Sequence, residues 1–206
     1  MDFSGFVLAA AVDDLRTEVR ARSEADAVEF RLDLATDPTA QLDRYDGELP
    51  LIVTNRAVWE GGQATEDGRL RTLQGAIDHP AVEAIDVELR SIRSGDASRV
   101  VDRASAAGVS VIVSVHDFEQ TPPRDELAEL IRRTAAAGDV GKVAVTAEDP
   151  GDVLSLLDAT WTAAAAGHDV ATMAMGAAGR HSRAVCPLYG SCIGYAPVEA
   201  SRATAP

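Results

Sequence analysis

The chain has 206 residues, 46% of them hydrophobic and 25% charged, and its 33 acidic against 19 basic groups leave a formal net charge of -14. That length fits one large domain or two small ones, and the acid excess repels nucleic-acid backbones and anionic membrane surfaces, so neither is expected as a partner. No apolar run approaches the ~20 residues that span a bilayer, and Met1-Asp-Phe-Ser lacks the layout of a secretory signal, which makes the cytoplasm the expected location.

In chain order, short apolar runs rich in valine fall at residues 6–12, 27–33, 49–56, 84–89, 110–117, 140–147 and 169–176, with a weaker one at 192–195. Their near-continuous apolar character suits strands of a parallel sheet, which are buried on both faces. Helical signals lie between them. Asp13-Asp-Leu-Arg-Thr-Glu puts acids where a helix N-terminus favours them, and residues 69–77 carry Leu70, Leu73 and Ile77 on one helical face. Pro122-Pro-Arg-Asp-Glu-Leu opens a helix that stops near Ala137-Gly138, and Asp149-Pro-Gly-Asp-Val-Leu opens another that stops near Ala166-Gly167. Eight strand-helix units without a break in composition predict an α/β fold. We expect a (β/α)8 TIM barrel, one domain over residues 1–206, rather than an open doubly wound sheet. Neither GxGxxG nor a P-loop is present, so the usual glycine cradle for a nucleotide is lacking.

Eighteen of the basic residues are arginine, and Lys142 is the only lysine. Acid excess with lysine shed suggests a protein suited to concentrated salt, where screening removes the repulsion between carboxylates. Lys142 lies in the sixth apolar run, Gly141-Lys-Val-Ala-Val-Thr. Turned toward flanking helices, it would bury an ammonium among apolar side chains at considerable cost. Turned the other way, desolvation favours the neutral amine that attacks a ketone or aldehyde. A lysine snorkelling at a strand end is the bland alternative. His116 closes the fifth run in Ser114-Val-His-Asp-Phe, at the strand end where barrels build their sites, and is a candidate acid–base against the alternative of a hydrogen-bonded strand terminus.

Charged residues interrupt other runs: Glu29 and Arg31, Arg56, and Asp86 and Glu88. Strand alternation puts Glu29, Arg31 and Asp33 on one face, and likewise Asp86 with Glu88. Buried charges must pair or serve a ligand, so these describe either an internal ion-pair network or a polar pocket for a small hydroxylated carboxylate. Two glycine-bearing loops follow strands: Glu60-Gly-Gly-Gln, and Met175-Gly-Ala-Ala-Gly-Arg-His-Ser-Arg, whose Arg183 can hold a carboxylate or a phosphate. No HExxH, cysteine–histidine cluster or EF-hand spacing occurs, so no metal is expected, and Cys186 and Cys192 read as ordinary thiols.

Six segments in register resemble the type I 3-dehydroquinate dehydratase family of the shikimate pathway, in a haloarchaeal version. They are Glu29-Phe-Arg-Leu-Asp, Thr54-Asn-Arg with Glu60-Gly-Gly, Asp86-Val-Glu-Leu, Ser114-Val-His-Asp-Phe, Gly141-Lys-Val-Ala-Val, and Met173-Ala-Met-Gly through Ser182-Arg183. The resemblance implies a cofactor-free dehydration of 3-dehydroquinate to 3-dehydroshikimate. It implies Lys142 as the Schiff-base lysine, His116 as the acid–base and Glu60 as the carboxylate that orients that histidine. It further implies Arg183 as the carboxylate-binding arginine, Glu29, Arg31 and Arg56 as holders of the ring hydroxyls, and Met175 as packing beside the imine. The family's Ser-Ala-Pro-Gly-Gln loop aligns with Thr204-Ala-Pro206, where the chain ends. Thr204 then replaces the serine, and the C-terminal end is expected to be incomplete. Family members commonly form homodimers, which is the expected assembly.

Two rivals fit part of the pattern. A class I aldolase would also use Lys142, although His116, Arg56 and Glu60-Gly-Gly suit a hydroxylated carbocycle better than a sugar phosphate. The other is a non-catalytic carboxylate-binding barrel, against which the retention of a lone lysine argues.

Overall fold

The computed structural model describes residues 1–198, which fall into two compact units. The first comprises Met1, Leu8–Val111 and residues 195–198; the second comprises Asp2–Val7 and Ile112–Gly194.

In the first unit, β1 (Val7–Val12), β2 (Ala27–Arg31), β3 (Leu51–Thr54) and β4 (Val82–Glu88) pair in parallel in chain order. β2 and β3 are shorter than the apolar runs that encode them. Asp33, Asn55 and Arg56 therefore lie just past strand C-termini, where side chains are free of ladder alternation. Only a 3-10 turn, Leu15–Arg20, follows β1 where a helix is expected. Glu18 explains this: it is buried and pairs with Arg22, and it also accepts from the backbone N–H groups of Glu48 and Leu49, which ties the turn to the segment before β3. Helices α1 (Pro38–Leu42), α2 (Arg69–Ala76), α3 (Leu89–Ser94) and α4 (Ser98–Ala107) complete the unit. α2 packs on α4, burying Leu73 and Ala76 on one and Val100 and Ala104 on the other.

In the second unit, β5 (Ser110–Asp117), β6 (Val140–Thr146) and β7 (Val170–Met175) are parallel neighbours. Helices α5 (Arg124–Ala135) and α6 (Pro150–Ala165) cover one face of them. α6 starts at a capping box: Asp149 accepts from the N–H of Asp152, Asp152 accepts from the N–H of Asp149, and Pro150 takes the first turn, where no donor is needed. Leu127 and Ile131 of α5, Leu156 of α6, and Val143 and Val145 of β6 share one apolar core and are fully buried. Burying each such side chain contributes about 2 kcal/mol. Gly141 permits the contact between β6 and α5, since a Cβ there would stand 2.4 Å from the Ala135 nitrogen. The short helices α7 (Gly176–Gly179) and α8 (Ser182–Val185) follow β7, and β8 (Ile193–Pro197) ends the described structure. No helix among the described residues is long and apolar enough to cross a membrane.

Candidate active site

β6 decides the direction of the lone lysine. Val143 and Val145 face the helices, so alternation along the strand turns Lys142, Ala144 and Thr146 to the opposite face. The strand register puts Ser114 and Ala171 beside Lys142, and His116 and Met173 beside Ala144, one step toward the strand C-termini. Lys142 and His116 therefore share one face of the sheet, on adjacent strands and two residues apart in register. Lys142 is 3% exposed, whereas His116 is half-buried, its ring stacked on Phe118 at 6.0 Å. Met175 is buried at the end of β7, in register with Thr146. The following loop folds back through Ser182, whose buried hydroxyl accepts from the Ala174 N–H at 2.8 Å and lies 3.2 Å from the Ala174 carbonyl. This holds the next residue, Arg183, in α8, half-exposed.

The first unit gathers the other candidates into an ion-pair network. Arg56, 3% exposed, has Nη2 at 2.9 Å from Asp86, while its Nη1 lies 3.6 Å from Glu60 and 3.7 Å from Glu88. Burial works against the charge of this guanidinium, but Asp86, Glu88, Glu60 and Glu29 outweigh it and raise its pKa, so it stays a cation. Glu29 is buried in β2 and accepts from the Thr54 hydroxyl at 2.9 Å. Arg31 holds Asp33 with two parallel hydrogen bonds of 2.9 and 2.7 Å, and burial opposes its charge less than Asp33 and Glu29 favour it. Asp33 in turn accepts from the Gln63 N–H at 3.1 Å, anchoring the loop that carries Glu60.

The Glu60-Gly-Gly motif has a steric cause. Gly61 takes the left-handed conformation at φ 76°, and a Cβ on Gly62 would lie 2.0 Å from the Arg56 carbonyl oxygen. Two glycines thus let the chain turn back onto Arg56, which brings Glu60 to its guanidinium. A buried carboxylate within ion-pair distance of a buried arginine is a product of this turn rather than of strand alternation.

The interrupting charges form an internal network in the first unit, where Arg31 pairs with Asp33, Arg56 with Asp86, Glu60 and Glu88, and Glu29 bonds Thr54; Lys142, His116 and Met175 share a face or a register row in the second. Thr204 lies outside the described residues. Among those described, no group of three or more His, Cys, Asp or Glu is arranged to hold a metal ion. Two participants escape a reading of the sequence. Thr54 reads only as a strand residue, although a buried glutamate one strand away needs a donor. Arg69 reads only as a helix start, although it is 3% exposed and bonds Glu88 at 2.8 Å. The signal was there: two carboxylates in one β4 segment, Asp86 and Glu88, call for more than one cation.

The model of the type I 3-dehydroquinase family matches residues 6–206. A 3-dehydroquinate dehydratase of Haloarcula marismortui is 55% identical over the whole chain and 92% of its own length, and one of Halobacterium salinarum is 46% identical over the whole chain and 93% of its length. Among solved structures, 3-dehydroquinate dehydratase from Geobacillus kaustophilus superposes with a TM-score of 0.82 at 29% identity, covering 98% of this chain and 86% of its own. The expected fold class, a (β/α)8 TIM barrel, is therefore the class of this chain.

Proposed function

The chain belongs to the type I 3-dehydroquinase family and is a 3-dehydroquinate dehydratase, a hydro-lyase of the shikimate pathway to aromatic compounds; we propose that it works through an imine on Lys142. The observation that carries this reading is the position of the only lysine, buried on the strand face it shares with His116.

In the proposed reaction, the Lys142 amine adds to the C3 ketone of 3-dehydroquinate and water leaves, so that C=N replaces C=O. The protonated imine acidifies C2, and loss of the C2 proton to His116 sends the electron pair into an enamine. Return of that pair expels the C1 hydroxyl, which takes a proton from His116 and departs as water. The new C1=C2 bond is conjugated with the imine, and a second water hydrolyses the imine to 3-dehydroshikimate and the free amine. One imidazole serves as base and then as acid, since its ring nitrogen accepts a proton in the neutral form and donates it once protonated.

Glu60 is assigned to the acid–base machinery, Arg183 to the substrate carboxylate, Glu29, Arg31 and Arg56 to the ring hydroxyls, Met175 to the surroundings of the imine, and Thr204 to the position of the family's serine. No metal or cofactor takes part in these steps. Residues 1–206 are read as one catalytic domain, working in the cytoplasm of a salt-adapted cell, with the small-molecule substrate as partner and no nucleic acid. Assembly is read as a homodimer. In its support, Leu154, Trp161 and Leu188 are 67%, 58% and 79% exposed on one apolar surface, and the charges lining it, Arg124 and Asp158, pair with each other. Two copies of an acidic chain meet there without opposing carboxylates. Leu188→Glu is expected to shift the sedimentation coefficient to that of a monomer.

Borohydride reduction in the presence of 3-dehydroquinate, followed by peptide mass mapping, tests the imine. We expect a reduced adduct on Lys142 that Lys142→Arg lacks, because a guanidinium does not attack a carbonyl. Absence of both adduct and product absorbance refutes the reading, and an adduct with a sugar-phosphate aldehyde instead points to the aldolase.

A further inference from the structure

We infer that Arg69 is a positioning residue for substrate binding: by holding Glu88, it sets the charge that Arg56 presents to an anionic ligand. The inference rests on the proposal that Arg56 contacts the substrate.

Arg69 opens α2 with its side chain buried. Nη1 donates to Glu88 at 2.8 Å, Nη2 donates to the Ser91 hydroxyl at 2.6 Å, and its carbonyl accepts from Asn55, the residue before Arg56, at 2.9 Å. The other oxygen of Glu88 accepts from the N–H of Ala57, the residue after Arg56, at 3.0 Å. The guanidinium of Arg69 also lies 5.7 Å from the ring centre of Trp59, which precedes Glu60. The Arg69–Glu88 pair therefore grips the chain on both sides of Arg56 and beside Glu60.

Charge gives this grip its consequence. Arg56 faces Asp86, Glu60 and Glu88, and three carboxylates around one cation make a site that repels an anion. Arg69 neutralises Glu88 and keeps it 3.7 Å from Arg56, outside hydrogen-bond range, while Asp86 is bonded at 2.9 Å. Without Arg69, Glu88 keeps its charge uncompensated and can close on Arg56 as a second hydrogen-bonded carboxylate. Bulk salt does not screen a buried group in compensation. The buried Nε of Arg69 makes no hydrogen bond but lies 3.5 Å from the exposed carboxylate of Glu66, a weaker second ion pair beside the buried one with Glu88.

The test is steady-state kinetics with 3-dehydroquinate on the wild type, Arg69→Met, Arg69→Lys and the double variant Arg69→Met/Glu88→Gln, with borohydride trapping on each. Arg69→Met is expected to raise KM about tenfold while kcat stays within about threefold. Arg69→Lys and the double variant, both balanced in charge, are expected to keep KM within about threefold of wild type, because the amide oxygen that replaces the Glu88 carboxylate still accepts from the Ala57 N–H. A merely structural role makes the double variant, which lacks both ionic partners, at least as impaired as the single one. An unchanged KM in Arg69→Met overturns the inference, and so does a KM raised tenfold in either charge-balanced variant; those two carry the test if Arg69→Met does not fold. A wild type that turns over 3-dehydroquinate but forms no adduct removes the imine reading and leaves this inference to the KM values, whereas adducts in every variant with a flat KM remove this inference alone.

Discussion

The two units differ in what fixes the elements that carry their candidate residues. In the first, charge holds charge: Arg56 is met by Asp86, Glu60 and Glu88, and Arg69 takes up the far side of Glu88. In the second, packing holds the strand that carries Lys142: Val143 and Val145, on its opposite face, are locked against α5 and α6. An ion-pair network fixes guanidinium directions at the cost of desolvation, which suits recognition of hydroxyls and charge. A packed strand fixes the position of the side chain it carries, which suits a nucleophile. On the proposed mechanism, recognition falls to the charged network and the nucleophile to the packed strand.

Substitutions can separate the two modes. Lys142→Met is expected to have the largest effect, a loss of kcat of at least about 10^4-fold with the fold retained, since an isosteric apolar chain suits the buried position; turnover near wild type in a continuous product assay would place the chemistry elsewhere. Next, Arg56→Met leaves three buried carboxylates without their shared cation and should cost about 3–5 kcal/mol in urea unfolding, together with a rise in KM. Leu156→Ala in the second unit should cost about 2–5 kcal/mol through a cavity, with KM unchanged, and a matching KM rise there would erase the distinction between the units.

Solvent conditions give smaller effects. At a net charge of -14, the thermal midpoint should climb steadily from dilute buffer to molar potassium chloride as surface carboxylates are screened, and a midpoint indifferent to salt would contradict this. Alkali should weaken the second unit through Cys192, whose thiol is pushed up from 9.0 to about 12 by burial and, secondarily, by the charge of Asp169. Between those values the unfolded chain has lost the proton that the folded chain keeps, so stability is full below about pH 9 and falls as pH rises toward 12. Urea midpoints measured from pH 8 to 11 should show the fall, and Cys192→Ser should lessen it, leaving the part due to Cys186 and Tyr45, which burial also pushes up.

The strands were the most legible part of the molecule. The run at residues 110–117 matches β5 at both ends, and β6 differs from its run only at the last residue, because a strand buried on both faces announces itself as continuous apolar sequence. The turn after β1 was not legible, since its acids suggest a helix while Glu18 is claimed by backbone donors thirty residues later. Of the site, Lys142 stood out by composition, and Glu29, Arg31, Arg56, Asp86 and Glu88 stood out as charges in apolar runs. Arg69 did not, because an arginine at a helix start is ordinary until its partner across the chain is known.

The sequence by itself determined the α/β rhythm, the segments that resemble one family, and the singular lysine; all three are local or compositional, and survive without knowing what touches what. Only tertiary structure decided which way Lys142 turns, because either face is available to an isolated strand until valines at the next positions find Leu127, Ile131 and Leu156. Tertiary structure alone also decided which carboxylate serves which arginine. Asp86 and Glu88 are equivalent by strand alternation, and they separate only when α2 brings Arg69 to one of them while the Gly61–Gly62 turn closes on Arg56. Ion pairing depends on distances of a few ångströms between segments remote in sequence, which no periodicity encodes.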